Sequence, residues 1–228
     1  MRRATRRAVP PGGPLVVTDL VDFLRANQAE IWLRTREHVA LVSVSVLLAT
    51  AIGVPVGVAL TRRPRLPGPV LGGVNVIQTI PSLALLGFLI PIPVIGGLGA
   101  RPAVVALVAY ALLPIIKNTY EGIRAVDPAA RDAGVAMGMT PRQLLREVEI
   151  PLGLGVIMAG IRLATVMGIG VATIAAFIGA GGLGALIFRG ISMVDGRVVL
   201  LGAVPAALLA LIADRLLGVL ERRFSRWT

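Results

Sequence analysis

Five apolar stretches, each long enough to cross a bilayer as a helix, constrain this chain of 228 residues more than any other feature. The hydrocarbon core of a membrane is spanned by about 20 helical residues. Inside it every backbone amide must bond within its own segment, so these stretches are expected to be helices despite their Gly and Pro residues. They predict an all-α membrane protein with about five transmembrane helices, over residues 38–60, 69–96, 101–120, 151–179 and 198–220.

The composition argues against several other classes of protein. Hydrophobic residues make up 56% of the chain and charged residues 15%, a balance unlike that of a soluble domain. The absence of cysteine rules out a disulfide framework, a thiol nucleophile and a thiolate metal site. The net charge of +11 comes from basic residues in short segments beside the apolar stretches, which is typical of topology signals. We therefore expect contact with membrane lipid and none with nucleic acid.

Arg and Lys residues near the ends of the spans predict the orientation of the chain. With the C-terminus inside, twelve of them lie in inner segments and six in outer segments near a span, as the positive-inside rule favours. We therefore expect residues 121–150 and the tail 221–228 in the cytoplasm, and residues 96–101 and 185–197 outside. Five spans also place four arginines outside, against the positive-inside rule, although these residues lie far from the first span: Arg2, Arg3, Arg6 and Arg7.

Residues 1–37 are predicted to form an N-terminal tail that carries an interfacial helix over residues 16–37, followed by a transmembrane domain over residues 38–220. Trp32 suits the headgroup level of a membrane. A loosely ordered tail is the alternative. Helical spacing of apolar side chains supports the interfacial helix at four positions: Val17, Leu20, Val21 and Leu24.

A polar segment between the third and fourth stretches predicts a helical hairpin over residues 127–149. Asp127 is a suitable N-cap before Pro128, and Gly138 can end that helix in a left-handed conformation. Thr140 and Pro141 then repeat the start signal. A connecting loop that rests on the membrane is the alternative to a docking element. Small residues would let another protein surface approach the hairpin closely: Ala129, Ala130, Ala133, Gly134 and Ala136.

The same segment resembles the cytoplasmic signature of permease subunits of type I ATP-binding-cassette importers. That signature reads Glu-Ala-Ala, three residues, Gly, nine residues, Ile-x-Leu-Pro. The sequence "DAGVAMGMTPRQLLREVEIP" matches its spacing, with Asp for Glu, Gly for the second Ala, and Val and Ile for Ile and Leu. The resemblance implies that the hairpin sits in a groove of an ATPase subunit. It assigns this coupling role to Asp132, Ala133, Gly134, Gly138, Val148, Ile150 and Pro151.

Further segments, among them "VNVIQTIPSLALLGFLIP" and "FIGAGGLGALIFRGI", resemble the quaternary-amine branch of these permeases. That branch imports osmoprotectants such as glycine betaine, choline or carnitine. The resemblance covers about residues 16–220 and implies a type I permease fold in a bacterial cell membrane. It also implies two ATP-binding subunits, a second permease subunit, identical or homologous, and an extracytoplasmic substrate-binding protein.

The sequence contains few residues of the kinds that nucleotide binding, catalysis or metal binding would need. A Walker loop requires a Gly-Lys pair, and the single lysine, Lys117, lies in "PIIKNTY". We therefore expect no enzyme activity and no cofactor in this chain, with ATP and magnesium bound by a partner ATPase. His38 stands alone, so no metal site is expected. Arg162 is expected to reach the inner interface with its long side chain, and Asp214 is expected to be an interface charge.

Polar side chains in the second and third spans form a candidate translocation path. Polar groups in a membrane are costly and usually face protein or water. Hydrogen bonding between helices is the alternative explanation. Pro81 has no backbone N–H and is expected to leave the carbonyl of Ile77 free. The path residues are Asn75, Gln78, Thr79, Ser82 and Tyr110.

Three functions other than osmoprotectant import stay open at this point. An importer of the same class could carry another small solute, such as an amino acid. An ion-coupled secondary transporter would show more spans, internal repeats and membrane carboxylates, which are not evident. A membrane enzyme lacks a candidate nucleophile here. The chain has only nine aromatic residues, so we expect the aromatic cage for a quaternary amine in the separate binding protein.

Overall fold

The computed structural model describes residues 23–225, and this part of the chain contains helices and no strand. Within these residues four helical segments are long and apolar enough to cross a membrane, and five are if one bent pair counts as a span. The all-α fold with about five spans is therefore confirmed. In chain order the helices are α1 (Gln28–Thr61), α2 (Pro67–Thr79), α3 (Ser82–Leu89), α4 (Ala100–Arg124), α5 (Pro128–Ala136), α6 (Pro141–Gln143), α7 (Ile150–Ala175), α8 (Leu183–Ser192) and α9 (Gly196–Phe224).

The bent pair is the second apolar stretch, which is not the single helix that we predicted. Helices α2 and α3 meet at 96°. Ile80 is extended (φ −71°, ψ 126°) because the ring of Pro81 disfavours a helical conformation in the residue before it. The carbonyl of Ile77 is not free, since it accepts from the N–H of Ile80 at 3.3 Å. The carbonyl of Ile80 instead accepts from the hydroxyl of Tyr110.

The first span begins earlier than predicted. Helix α1 runs without a break from Gln28 to Thr61, so the predicted boundary at residue 37 is not seen. Contacts with distant segments extend the helix: Glu37 accepts from the N–H of Gly182 at 2.8 Å. Glu30 pairs with Arg189 at 2.8 Å. The tail before residue 23, with the first seven residues of the predicted interfacial helix, lies outside the described residues, as do residues 226–228.

The second arm of the hairpin continues into the fourth span. Helical structure is unbroken over Pro141–Ile178, although we predicted a hairpin ending at residue 149 and a new helix from 151. A π-helical turn over Leu144–Glu149 joins α6 to α7, and the N–H of Ile150 bonds to the carbonyl of Leu145, five residues back. Pro151 can donate no backbone bond, and this wider turn carries the helix past that gap.

The long helices run between two ends of the bundle. At one end Arg62, which caps α1, pairs with Glu149 just before α7. At the other end the N–H of Gly99, before α4, donates to the carbonyl of Ile178 at 2.8 Å. The segment of α2 and α3 leaves the first end after Arg62 and reaches the second before Gly99. The bent pair therefore crosses the bundle as the fifth span.

Close backbone approach joins α4 to α7. A side chain added at Gly153 would lie 2.9 Å from the carbonyl oxygen of Gly122. We expect Gly153→Ala to lower the apparent melting temperature of the solubilised protein, because overpacking costs about 1–3 kcal/mol. The matched control is Gly170→Ala, in the same helix, where nothing lies within 4 Å. Equal melting temperatures for the two variants would contradict this packing.

Candidate functional site

The first helix of the hairpin begins and ends at the predicted residues. Asp127 accepts a hydrogen bond from the N–H of Ala129 at 2.9 Å, and Pro128 is the first helical residue of α5. Gly138 follows the helix with φ +80°, a backbone conformation that residues other than Gly rarely adopt. These short-range signals are confirmed. They fix where the hairpin turns back towards the membrane.

The start of the second arm carries a signal that we had missed. Thr140 and Gln143 form a capping box, in which the N–H of Thr140 donates to Gln143 at 2.9 Å and the N–H of Gln143 donates to Thr140 at 3.4 Å. The Thr-x-x-Gln spacing was visible in the sequence, because the capping-box pattern accepts Gln as well as Glu. The box orients the second arm, which then continues into α7.

The signature residues divide between the outside and the inside of the hairpin. Gly134 is buried, and a side chain there would lie 2.6 Å from Leu144 of the other arm. Val148 and Ile150 are half-buried, whereas Gly138 and Pro151 are exposed. The exposed side chains of α5 and its end include Val135 at 60% and Met137 at 71% exposure. We call five of them the hairpin surface: Asp132, Ala133, Val135, Ala136 and Met137.

An ion cluster with a buried carboxylate lies beside the hairpin, and sequence reasoning did not find it. The side chain of Glu149 is only 2% exposed and pairs with both Arg62 and Arg131. Arg131 also donates to the carbonyl of Ile123, near the end of α4. The cluster borders a cavity of about 500 Å³ that Tyr120 also lines. Glu149 occupies the variable position of the signature, so the motif gave no signal for it.

The structure brings together only some of the candidate path residues. The amide of Gln78 donates to the carbonyl of Tyr110 at 2.8 Å, which links α2 to α4. Thr79 is exposed, and its hydroxyl bonds within its own helix, to the carbonyl of Val76 at 2.7 Å. Asn75 is also exposed, and Ser82, at the start of α3, is half-buried. Gln78 and Tyr110 therefore hold the bend of the second span, and lining a path stays a prediction.

Replacing Gln78 distinguishes the two roles. We expect Gln78→Ala to change the transport rate several-fold without changing substrate affinity for the binding protein, since one lost hydrogen bond costs about 1 kcal/mol. Ser82→Ala removes a second polar group of the candidate path. Uptake by reconstituted vesicles checks both variants. If both transport like the wild type, the polar residues only pack helices together and the proposed path is wrong.

Two other polar residues in the spans have structural partners. Arg162 does not reach the interface unpaired: it binds both carboxylate oxygens of Asp214, at 2.7 and 2.8 Å, and Glu221 at 3.0 Å. It thereby connects α7 to α9. His38 is fully buried, and its Nε2 donates to the carbonyl of Ile169 at 3.2 Å. Residues 23–225 contain no group of three side chains that could hold a metal ion.

Known proteins are similar to this chain over most of its length. The choline transport system permease protein OpuBB of Bacillus subtilis is 46% identical over 206 residues, which cover 90% of this chain and 94% of that protein. The carnitine transport permease protein OpuCD of Listeria monocytogenes is 48% identical over 89% of this chain and 90% of its own length. The osmoprotectant import permease protein OsmW of Salmonella typhimurium is 47% identical over 89% of this chain and 95% of its own length.

The fold is also found among solved structures. An inward-facing crystal form of the MetNI methionine ABC transporter matches with a TM-score of 0.76 and 26% identity, over 85% of this chain and 96% of that one. The family model of the binding-protein-dependent transport system inner membrane component matches residues 49–226. These residues include every span but the start of the first, and the whole hairpin. The chain belongs to this family of inner membrane transport components and is a permease subunit, not an enzyme.

Proposed function

We propose that this chain is the permease subunit of an ATP-driven importer for osmoprotectant quaternary amines such as glycine betaine, choline or carnitine. The observation that carries the proposal is the similarity to permeases named for choline, carnitine and osmoprotectant transport, at 46 to 48% identity. This identity extends over about nine-tenths of the chain, whereas the methionine transporter is only 26% identical. The solute class therefore follows the closer group.

The partners that we propose are those that the family implies, and the geometry of the hairpin supports docking of the ATP-binding subunits there. Two ATP-binding subunits, one for each permease of a pair, would each seat a hairpin surface in a groove. The exposed side chains of Val135 and Met137 supply apolar contact area, and the small exposed side chain of Ala133 leaves room for close approach. ATP and magnesium are bound by these subunits and not by this chain. The second permease is identical or homologous, and a binding protein delivers the solute outside.

The continuous helix Pro141–Ile178 supports a mechanism of alternating access. A displacement of the hairpin reaches the fourth span directly, because no flexible linker separates them. The capping box fixes the start of the moving arm, and Gly134 packs the other arm against it at Leu144. Hydrolysis in the ATP-binding subunits would therefore rock α7 and open the path to one side or the other. We place the hairpin and the C-terminus in the cytoplasm of a bacterial cell.

Growth under osmotic stress tests the solute class. The chain is expressed with its ATP-binding subunit, its partner permease and its binding protein in cells that lack their own quaternary-amine uptake. We expect glycine betaine, choline or carnitine to restore growth at high salt and labelled solute to accumulate. A complex that accumulates methionine or histidine and none of the three amines would contradict the proposal.

A further inference from the structure

We propose that Glu149 is a positioning residue that connects the hairpin to the inner ends of α1 and α4. Movement of the hairpin would then reach these two spans as well as α7. The inference rests on the proposed function, since it concerns how that function is driven. It assigns a role to a residue at the variable position of the signature.

The burial of Glu149 is the first observation that supports this role. A carboxylate with 2% exposure loses its hydration, so it is stable as an anion only when cations pair with it. Two arginines meet this need: Arg62, the C-cap of α1, and Arg131, in the middle of α5. Removing the carboxylate would leave both guanidinium groups without their shared partner.

The second contact of Arg131 brings in a further helix. Arg131 pairs with Glu149 through Nε at 3.2 Å, and its Nη2 donates to the carbonyl of Ile123. Ile123 precedes the last residue of α4. One carboxylate therefore joins the ends of α1 and α4, the first arm of the hairpin and the π-helical turn that leads into α7.

These polar contacts add to the close backbone approach of α4 and α7 at Gly122 and Gly153, and they bring in α1 and the first arm of the hairpin. The cluster borders the cavity of about 500 Å³, which residues from the ends of α1 and α4 line together with Arg131 and Glu149. Gly134 is the one residue of α5 that is buried, and it packs against the other arm of the hairpin. The first arm of the hairpin is thus attached to the end of α1 through the Glu149 cluster, and to the end of α4 through Arg131 and the short connection from α4 to α5.

The test is to measure ATP hydrolysis and solute uptake on the same vesicles, which hold the complete complex. We expect Glu149→Gln to hydrolyse ATP at close to the wild-type rate but to move about tenfold less solute per ATP, within the range of allosteric coupling. The matched control is Glu147→Gln, two residues earlier, exposed and outside the cluster. It should keep the wild-type ratio.

Charge reversal tests the same proposal independently. Glu149→Arg alone should lower the amount of solute moved per ATP hydrolysed. Glu149→Arg combined with Arg62→Glu should restore part of that ratio. The proposal is overturned if Glu149→Gln keeps the wild-type ratio. It is also overturned if hydrolysis and uptake fall in parallel with a loss of folded protein, since Glu149 would then be purely structural.

The wild-type complex separates this inference from the proposed function. If it imports a solute other than a quaternary amine, the proposed solute class fails, and the ratio of solute to ATP for Glu149→Gln is measured with that solute. If it imports glycine betaine or choline and Glu149→Gln couples normally, the role of Glu149 alone fails.

Discussion

Replacing Ala133 with tryptophan is expected to abolish ATP-driven uptake while the permease remains folded in the membrane. Ala133 is exposed on α5, so we expect a larger side chain there to extend into solvent and to cost only a few tenths of a kcal/mol in helix propensity. It would, however, obstruct the groove of the ATP-binding subunit. Disruption at the centre of an interface costs 2 kcal/mol or more, so we expect a loss of at least about 30-fold in association.

Uptake and co-purification of the ATP-binding subunit measure this effect together. Ala133→Ser is the matched control, because it keeps a small side chain at the same position and should assemble and transport normally. Ala133→Trp with normal uptake and a full complement of ATP-binding subunit would show that the hairpin surface is not where that subunit docks.

A second all-or-none result is expected from the orientation of the chain. The protein contains no cysteine, so single cysteines can be introduced and labelled with an impermeant thiol reagent in intact cells. Leu98→Cys and Met193→Cys, at exposed positions, should be labelled from outside. Arg63→Cys and Arg222→Cys should react only after the membrane is opened, since the positive-inside distribution places both in the cytoplasm.

The contacts within the bundle support the grouping of Arg63 with Arg222. Arg63 follows Arg62, which pairs with Glu149, and Gly155 of α7 lies against Ser225 after α9. These residues belong to one end of the bundle. Strong labelling of Arg222→Cys in intact cells would contradict the five-span topology. Uptake by each variant serves as the control that the chain is correctly inserted.

The features that the sequence predicted well depend on neighbouring residues. Asp127, Pro128 and Gly138 define the first hairpin helix through backbone groups no more than a few residues away. The apolar stretches predicted their helices because length and hydropathy alone decide whether a segment can cross a bilayer. The start of α1 at Gln28 was missed because residues more than a hundred positions away, including Gly182, hold it there.

The ion clusters could not be predicted, since they depend on how distant helices align. Arg62 and Glu149 are 87 residues apart, and Arg162 and Asp214 are 52 apart. A single sequence shows that each charge lies near the end of a span but not which helix faces it. The bend at Pro81 is an intermediate case. The missing N–H was evident from the sequence, but the direction of α3 depends on packing against α4.

Uptake of labelled glycine betaine and choline into vesicles that hold the purified complex is the most direct test of the function. The vesicles contain ATP, and the binding protein is added outside. We predict saturable accumulation that requires ATP and the binding protein and that an excess of unlabelled carnitine competes with. Accumulation without ATP, or accumulation of methionine in place of the amines, would contradict an ATP-driven importer of quaternary amines.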